Sequence, residues 1–213
     1  MGSEYHKKIK ELKDKSNFAI SVKKYDSTAI KLRVISTKDL NNKNLVNNLT
    51  KWRSRESFWF SQQFKVTSAR TKKWLGDLVI NNPDRILFAV EDNAGKLYGH
   101  LGFYRYRTQD NSCELDNVVR GSKDIPGLMT DCVNCLIKWG FKNLEVSVIY
   151  LTTFDDNLRA ANLYKRCGFK KIRKIPLKKI RKNDELQWVK IPNKLRGQAQ
   201  RFYARMALKP SVT

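Results

Sequence analysis

The sequence predicts an α/β domain in which helices cover both faces of a mixed central sheet. Its 213 residues suffice for one sizeable domain with extensions but are few for two full domains. Hydrophobic residues make up 41% of the chain, which is typical of a globular protein rather than a disordered one. Segments with the two-residue period of strands alternate with segments of helical period, and this order favours the α/β class.

The first third of the chain predicts an extension, a strand and two helices. Residues 1–26 are rich in lysine and poor in periodic apolar residues, so we expect a loosely attached extension. Residues 29–35 (AIKLRVI) alternate apolar and polar side chains, as a strand does. Residues 41–55 look helical in part. Residues 68–81 do so more firmly, because their apolar side chains share one helical face.

Three strand signals follow in close succession and predict an antiparallel meander. They span residues 85–92, 97–107 and 113–121. Short polar turns join them, and Gly95 in the first turn suits a tight hairpin.

The second half of the chain returns to an alternation of helices and strands. Residues 124–141 carry a helical apolar stripe, and residues 144–151 are rich in β-branched side chains, as in a buried strand. A helix follows Asn157, and residues 170–177 and 185–191 predict a further hairpin.

These elements assign residues 27–192 to one globular domain, between a basic extension at residues 1–26 and a basic tail at residues 193–213. The chain holds 43 Lys and Arg against 20 Asp and Glu, which gives a formal net charge of +23. Such a charge attracts nucleic acid, anionic membrane surfaces or phosphate-bearing small molecules, and composition does not choose among these partners.

Neither a membrane span nor a metal site is expected. No stretch approaches the roughly 20 apolar residues that a transmembrane helix needs, and the lysine-rich start lacks the apolar core of a secretory signal. Cys132 and Cys135 form a single CxxC without a second pair, so we expect small core residues instead of a zinc site. The cysteine pattern suits the reducing cytoplasm.

A loop at residues 118–130 (VVRGSKDIPGLMT) predicts an anion site at the start of a helix. Pro126 suits the first helical turn, and Arg120 and Lys123 add positive charge. The backbone amides free to bind a pyrophosphate would be those of Gly127, Leu128, Met129 and Thr130. The alternative is an ordinary turn between strand and helix that holds only water.

Residues 154–169 (FDDNLRAANLYKRCGF) predict a helix with chemistry at its start and middle. Asn157 stands just ahead of the helical stripe, and Gly168 ends it. Tyr164 lies seven residues, about two turns, beyond Asn157, so both side chains can face one groove. The alternative is that Asn157 only caps the helix and Tyr164 only fills the core.

The pattern N-x-R-A-x-x-L-Y-x-x-x-G-F at residues 157–169, after a hydrophobic strand, resembles the closing motif of GNAT-superfamily acyl-CoA N-acyltransferases. Residues 32–40 and 51–55 look like the RimJ/RimL-type branch, and the resemblance spans roughly residues 29–177. It implies the GNAT fold, whose mixed sheet contains a parallel strand pair that splays apart beside a bulge.

The resemblance further implies direct transfer of an acetyl group from acetyl-CoA to a primary amine. The pantetheine arm would lie between the splayed strands, near the backbone of Val118 and Val119, and the pyrophosphate would lie on the helix at residues 127–140. Asn157 would bind the cofactor arm or help to orient the reacting centre, and Tyr164 would protonate the departing thiolate. A backbone N–H of the splayed strand would stabilise the oxyanion.

The phosphate loop departs from the family pattern. The usual form is Gln/Arg-x-x-Gly-x-Gly/Ala, whereas residues 123–129 read KDIPGLM. Either alignment of Lys123 or Gly127 with that pattern leaves fewer glycines near the phosphates.

Three residues are candidates for the base that removes a proton from the acceptor. Glu114 and Asp116 share one face of their strand, and His100 on the neighbouring strand titrates nearest neutral pH. A solvent-facing surface role is the alternative for each. We favour Glu114, because its position resembles that of the glutamate base in several GNAT enzymes.

The acceptor that we favour is an amino sugar, free or attached to a nucleotide. The positive charge suits an anionic small-molecule amine, and residues 56–65 (ESFWFSQQFK) mix aromatic and basic side chains as a sugar pocket would. We assign Trp52, Arg53 and Trp59 to this pocket. The RimJ/RimL-type resemblance equally suggests the amino termini of ribosomal proteins.

A second hypothesis is a GNAT-fold module that binds RNA without catalysis. Its contacts would be the basic residues 170–182 and 194–209, the latter interleaved with Phe202 and Tyr203. The motif at residues 157–169 favours the enzyme, because RNA binding does not need that spacing. A homodimer stays open at this point.

Overall fold

The computed structural model of the chain describes residues 2–15, 17–25 and 28–210. Its α-helices are α1 (Gly2–Asp14), α2 (Lys43–Arg55), α3 (Ser68–Trp74), α4 (Leu128–Asn143) and α5 (Leu158–Arg166). A π-helical segment, Leu75–Ile80, continues α3, and 3-10 turns lie at Thr37–Asn41, Ser57–Trp59 and Asn193–Gln198.

The strands form one mixed sheet in the order β1–β2–β4–β5–β6–β7–β10–β8–β9–β3. Their bounds are β1 Ala19–Tyr25, β2 Thr28–Val34, β3 Gln62–Gln63, β4 Ile86–Asp92, β5 Leu97–Arg107, β6 Ser112–Arg120, β7 Val148–Phe154, β8 Lys170–Lys182, β9 Glu185–Lys190 and β10 Arg201–Leu208. The pair β6–β7 is parallel, and the other described pairs are antiparallel.

Two apolar cores cover the two faces of this sheet. One packs α1, α4 and α5 against one face, and the other packs α2 and the π-helical segment against the opposite face. The predicted α/β class with helices on both faces is therefore confirmed. The meander β4–β5–β6 and the hairpin β8–β9 are also as predicted.

Residues 2–15 and 17–25, within the predicted extension, are not loosely attached. Helix α1 buries Tyr5 and Ile9, and the ring of Tyr5 stacks on Tyr106 at 4.2 Å between centroids. Strand β1 then pairs with β2 at the edge of the sheet. An apolar helical stripe is formed by Tyr5, Ile9 and the partly buried Leu12. It was not predicted from the sequence because lysines surround these residues.

Residues 201–208 are not part of a free tail, because they form β10 inside the sheet. This strand pairs antiparallel with β7 on one side and with β8 on the other. Ala204 and Met206 are buried, and so are the charged Arg201 and Arg205. The sequence predicted a basic tail because half of the strand's buried side chains are arginines. Arginines are rarely buried unless they are paired.

Lys13 joins α1 to the end of the π-helical segment. Its buried Nζ donates to the carbonyl oxygens of Val79, Ile80 and Asn82 at 2.8, 3.1 and 2.6 Å. Carbonyls at a helix end lack intrahelical partners, and an ammonium satisfies several of them at once. Burial lowers the pKa of Lys13 to about 8.

Replacing this lysine should destabilise the fold. We expect Lys13→Met to lower the free energy of unfolding by about 1–3 kcal/mol, because three carbonyl oxygens lose a charged donor. Urea denaturation at neutral pH measures the change. Lys10→Met, at an exposed position of the same helix, is the control and should change stability by less than about 0.5 kcal/mol. Equal effects in the two variants would contradict the assigned role of Lys13.

Candidate active site

The pairing between β6 and β7 stops after three residues. The parallel register joins Ser112 to Val148, Cys113 to Ile149 and Glu114 to Tyr150. Beyond this point β6 stays with β5, while β7 stays with β10. The two strands therefore diverge towards their carboxyl ends, as the resemblance implied.

A β-bulge turns β6 away from its parallel neighbour. Between the pairs His100–Val119 and Gly102–Asp116, two residues of β6 face one residue of β5. Asn117, one of the two, has a φ of 51°, in the left-handed region that asparagine tolerates better than most residues. The bulge lies where the gap opens.

The gap belongs to a cleft of about 1110 Å³. Its lining brings together most of the predicted site residues, which are Arg53, Trp59, His100, Glu114, Asp116, Val118, Val119, Arg120, Gly127, Leu128, Met129, Thr130, Asn157 and Tyr164. Lys123 is exposed beside the cleft and does not line it.

The start of α4 presents backbone amides to one end of the cleft. Helix α4 begins at Leu128, later than predicted, because Gly127 has a φ of 78° and cannot be part of the helix. The Thr130 amide donates to the carbonyl of Gly127 at 2.9 Å, so it is not free as expected. In the described chain, the amides of Gly127, Leu128 and Met129 have no backbone acceptor.

The loop after β6 is fixed by contacts to α2. Arg55 donates through Nη1 to the carbonyl oxygen of Gly121 at 3.0 Å and through Nη2 to that of Arg120. A Cβ on Gly121 would lie 2.2 Å from the indole of Trp52, so only glycine allows this approach.

Trp52 supports the wall of the cleft but does not line it, contrary to its predicted role in substrate binding. Its side chain is buried in the core beneath α2 and stacks on His100 at 6.0 Å between centroids. The prediction failed because a tryptophan on a helix serves a core and a pocket equally well.

Tyr164 is held in its protonated form. Its ring is buried against Phe169, with 6.0 Å between centroids in an edge-to-face arrangement. Burial, together with the negative charge of Asp116, raises the pKa of Tyr164 well above its usual value. The phenol therefore carries its proton at neutral pH.

The candidate bases differ in their environments. Burial lowers the pKa of His100 to about 4, so the expectation that it titrates nearest neutral pH is wrong. Glu114 lies in an ion pair with Arg205, whose Nη1 donates to Oε1, and Arg105 approaches its Oε2 at 3.5 Å. Two guanidinium groups thus contact the two oxygens of this carboxylate.

Asp116 lies in a largely buried position beside one arginine. Burial raises its pKa despite the opposing charge of Arg85, whose Nη2 lies 3.2 Å from Oδ2. About 32% of its side chain is exposed. Because Asp116 lines the cleft, this exposure faces the space that a substrate would enter, with protein around the rest of the carboxylate.

Asn157 caps α5, as the alternative to a catalytic role predicted. Its Oδ1 accepts from the Ala160 amide at 3.2 Å. The side chain is nevertheless part of the cleft lining, so capping does not remove it from the site. At the other end of α5, Gly168 has a φ of 88° and ends the helix as predicted.

The far part of the cleft is aromatic and basic. Arg53 lies 3.5 Å from the ring centroid of Phe60 and 5.2 Å from that of Phe64. Its Nη2 donates to the carbonyl oxygen of Gln62, and burial lowers its pKa to about 10. The other aromatic residues of this part are Trp59, Trp74, Phe154, Trp188 and Tyr203.

Trp188 and Tyr203 line the cleft, whereas the sequence predicted no role for Trp188 and indicated Tyr203 only as a candidate RNA contact. The alternation in residues 185–191 places Trp188 on one face of a strand, but it does not indicate which face meets the cleft. Tyr203 lay in the predicted tail. Its ring contacts Phe154 at 4.8 Å between centroids because β10 pairs with β7.

The four cysteines are free, and Cys113, Cys132 and Cys167 are buried. Within residues 2–15, 17–25 and 28–210, no cluster of His, Cys, Asp and Glu could hold a metal ion. None of the helices described in this part of the chain is long and apolar enough to cross a membrane.

Comparison with known proteins agrees with this geometry. Residues 30–170 match the family profile described as an acetyltransferase (GNAT) domain. The chain is 24% identical to the spermidine N(1)-acetyltransferase of Vibrio cholerae over 143 residues, which cover 67% of this chain and 80% of that protein.

Two solved structures are similar in fold. Spermidine N-acetyltransferase from Vibrio cholerae, in complex with CoA and spermine, has a TM-score of 0.62 at 19% identity, covering 85% of this chain and 96% of that one. The ribosomal-protein-S5-alanine acetyltransferase of Vibrio fischeri has a TM-score of 0.64 at 18% identity, covering 86% and 94%.

Proposed function

The chain belongs to the acetyltransferase (GNAT) domain family, and from this premise we propose that its cleft acetylates a primary amine that carries an anionic group. Acetyl-CoA-dependent N-acetyl transfer is the activity of the fold. The observation that carries the proposal is the gap between β6 and β7, with the protonated Tyr164 beside it.

The residues around the gap fit acetyl-CoA. This co-substrate supplies the acetyl group and leaves as a thiol. Unpaired backbone along β6, near Val118 and Val119, offers hydrogen-bonding groups to its extended arm. The free amides of Gly127, Leu128 and Met129 point from the positive end of α4 and suit a diphosphate, with Arg120 as an additional cation.

We assign the two proton transfers to Tyr164 and Asp116. Asp116 would accept the proton that the acceptor ammonium loses, because its raised pKa makes it a stronger base than an ordinary aspartate. Tyr164 would donate its Oη proton to the leaving sulfur. We prefer Asp116 to Glu114, since Glu114 is engaged with Arg205 and Arg105.

The acceptor that we favour is still an amino sugar, free or nucleotide-linked. Nine Lys and Arg residues line the cleft against five Asp and Glu residues, so the field favours a negatively charged partner over a polyamine. The faces of Trp59 and Trp188 are flat apolar surfaces of the kind that pack against a sugar ring.

The reducing cytoplasm is the compartment that suits the free thiols of this protein.

The role of Tyr164 as a proton donor can be tested by removing one oxygen atom. Tyr164→Phe should lower kcat by about 100-fold with little change in acetyl-CoA binding, because only the proton donor is lost. Thiol release and calorimetry measure the two effects. Tyr106→Phe, whose ring packs against α1 and not in the cleft, is the control. Full activity of Tyr164→Phe would exclude the phenol as the acid.

The role of Asp116 predicts a pH profile. A base must be deprotonated, so kcat/KM should fall as the pH decreases through the raised pKa of Asp116. Asp116→Asn should lower kcat/KM by about 100-fold at neutral pH and lose this acidic limb. Asp14→Asn, on the exposed end of α1, should keep both rate and profile. An unchanged limb in Asp116→Asn would assign the titration to another group.

The charge of the acceptor can be read from a panel of amines. We expect kcat/KM to be about tenfold higher for a phosphorylated or nucleotide-linked amino sugar than for the neutral sugar, and the advantage to shrink with salt. Spermidine and a peptide with an amino-terminal alanine complete the panel. Preference for spermidine would refute the anionic acceptor, and preference for the peptide would favour acetylation of protein amino termini.

A further inference from the structure

Arg201, the first residue of β10, is a buried cation inside an aromatic cage. Only 8% of the residue is exposed. Its guanidinium carbon lies 3.5 Å from the ring centroid of Phe154, 4.6 Å from Phe58, 5.3 Å from Trp59 and 5.5 Å from Trp188. Aromatic faces attract a cation most strongly when water is excluded, as it is here.

Polar contacts fix the same side chain from two directions. Its Nε lies 3.0 Å from both carboxylate oxygens of Asp156, and its Nη1 donates to the carbonyl oxygen of Phe58 at 3.4 Å. Asp156 lies in the turn between β7 and α5, next to Asn157. One guanidinium group therefore joins the 3-10 turn Ser57–Trp59, the β7–α5 turn and strand β9.

Three of the aromatic residues around Arg201, namely Trp59, Trp188 and Phe154, belong to the far part of the cleft. The turn that carries Trp59 has hydrogen bonds of its own from the amides of Trp59 and Phe60, and Arg201 adds a contact to the carbonyl oxygen of Phe58. A planar guanidinium can stack on rings and donate hydrogen bonds in its own plane at the same time, which an ammonium cannot do. Arg201 is thus suited to hold the two indoles in place.

We propose that Arg201 is a positioning residue that fixes Trp59 and Trp188 as the wall of the acceptor site. The proposal rests on the function proposed above for the same cleft. Arg201 acts through the two indoles and touches no reacting group. Because Asn157 keeps its own bond to the Ala160 amide, the cofactor side should not depend on Arg201.

Steady-state kinetics test this role with Arg201→Met and Arg201→Lys. Both variants should raise the KM for the acceptor by about tenfold, leave kcat within about twofold, and leave the affinity for CoA unchanged in calorimetry. Arg196→Met is the control, because Arg196 contacts only the ring of Phe202, at 5.0 Å, among the aromatic residues described. Full rescue by Arg201→Lys would overturn the proposal, since a charge beside Asp156 would then suffice. An equal loss of CoA affinity would overturn it as well.

Hydrogen exchange gives a readout that does not need turnover. The amides of Trp59 and Phe60 donate within their turn at 2.9 and 3.2 Å, so their exchange reports the order of this segment. Exchange at these amides should be about tenfold faster in Arg201→Met than in the parent and Arg196→Met proteins, with α4 unchanged. Unchanged exchange would overturn the positioning role. Absence of acetylation by the parent protein would count against the proposed function alone.

Discussion

The early end of the pairing between β6 and β7 is the constraint on which the site depends. Past Glu114 and Tyr150 each strand keeps a partner on its other side only, β5 for one and β10 for the other. The bulge at Asn117 makes the divergence possible without breaking the β5–β6 ladder. It leaves two strand edges facing each other across a gap, and backbone groups on such edges need hydrogen-bonding partners. A ligand with amide groups of its own suits this requirement.

Three buried cations, Lys13, Arg201 and Arg205, stabilise the structure of this protein. Lys13 satisfies the carbonyls at a helix end, Arg205 pairs with Glu114, and Arg201 sits among aromatic rings. Each of these cations is buried, and each has partners that offset the loss of water. These three cations are therefore not exposed to partners at the surface.

Sequence patterns predicted those parts of the fold that local order determines. The meander, the hairpin β8–β9 and the helix between Asn157 and Gly168 follow from periodicity and turn residues, and the splayed pair followed from a family resemblance. The position of β10 did not, because pairing with β7 is a contact across about 50 residues that leaves no local trace. The environments of His100, Trp52 and Asp116 were not predicted for the same reason, because their burial and neighbouring charges arise only in the assembled sheet.

The insertion of β10 also bears on the order of folding. Strand β10 is synthesised after β8 and β9, yet it lies between β7 and β8 in the finished sheet. Until it arrives, β7 has no antiparallel neighbour, and direct pairing of β7 with β8 would exclude it. Such long-range pairing is slow to form. One side of the cleft therefore cannot form during synthesis until β10 has left the ribosome. Until then, the unpaired edge of β7 can pair with other chains and promote aggregation.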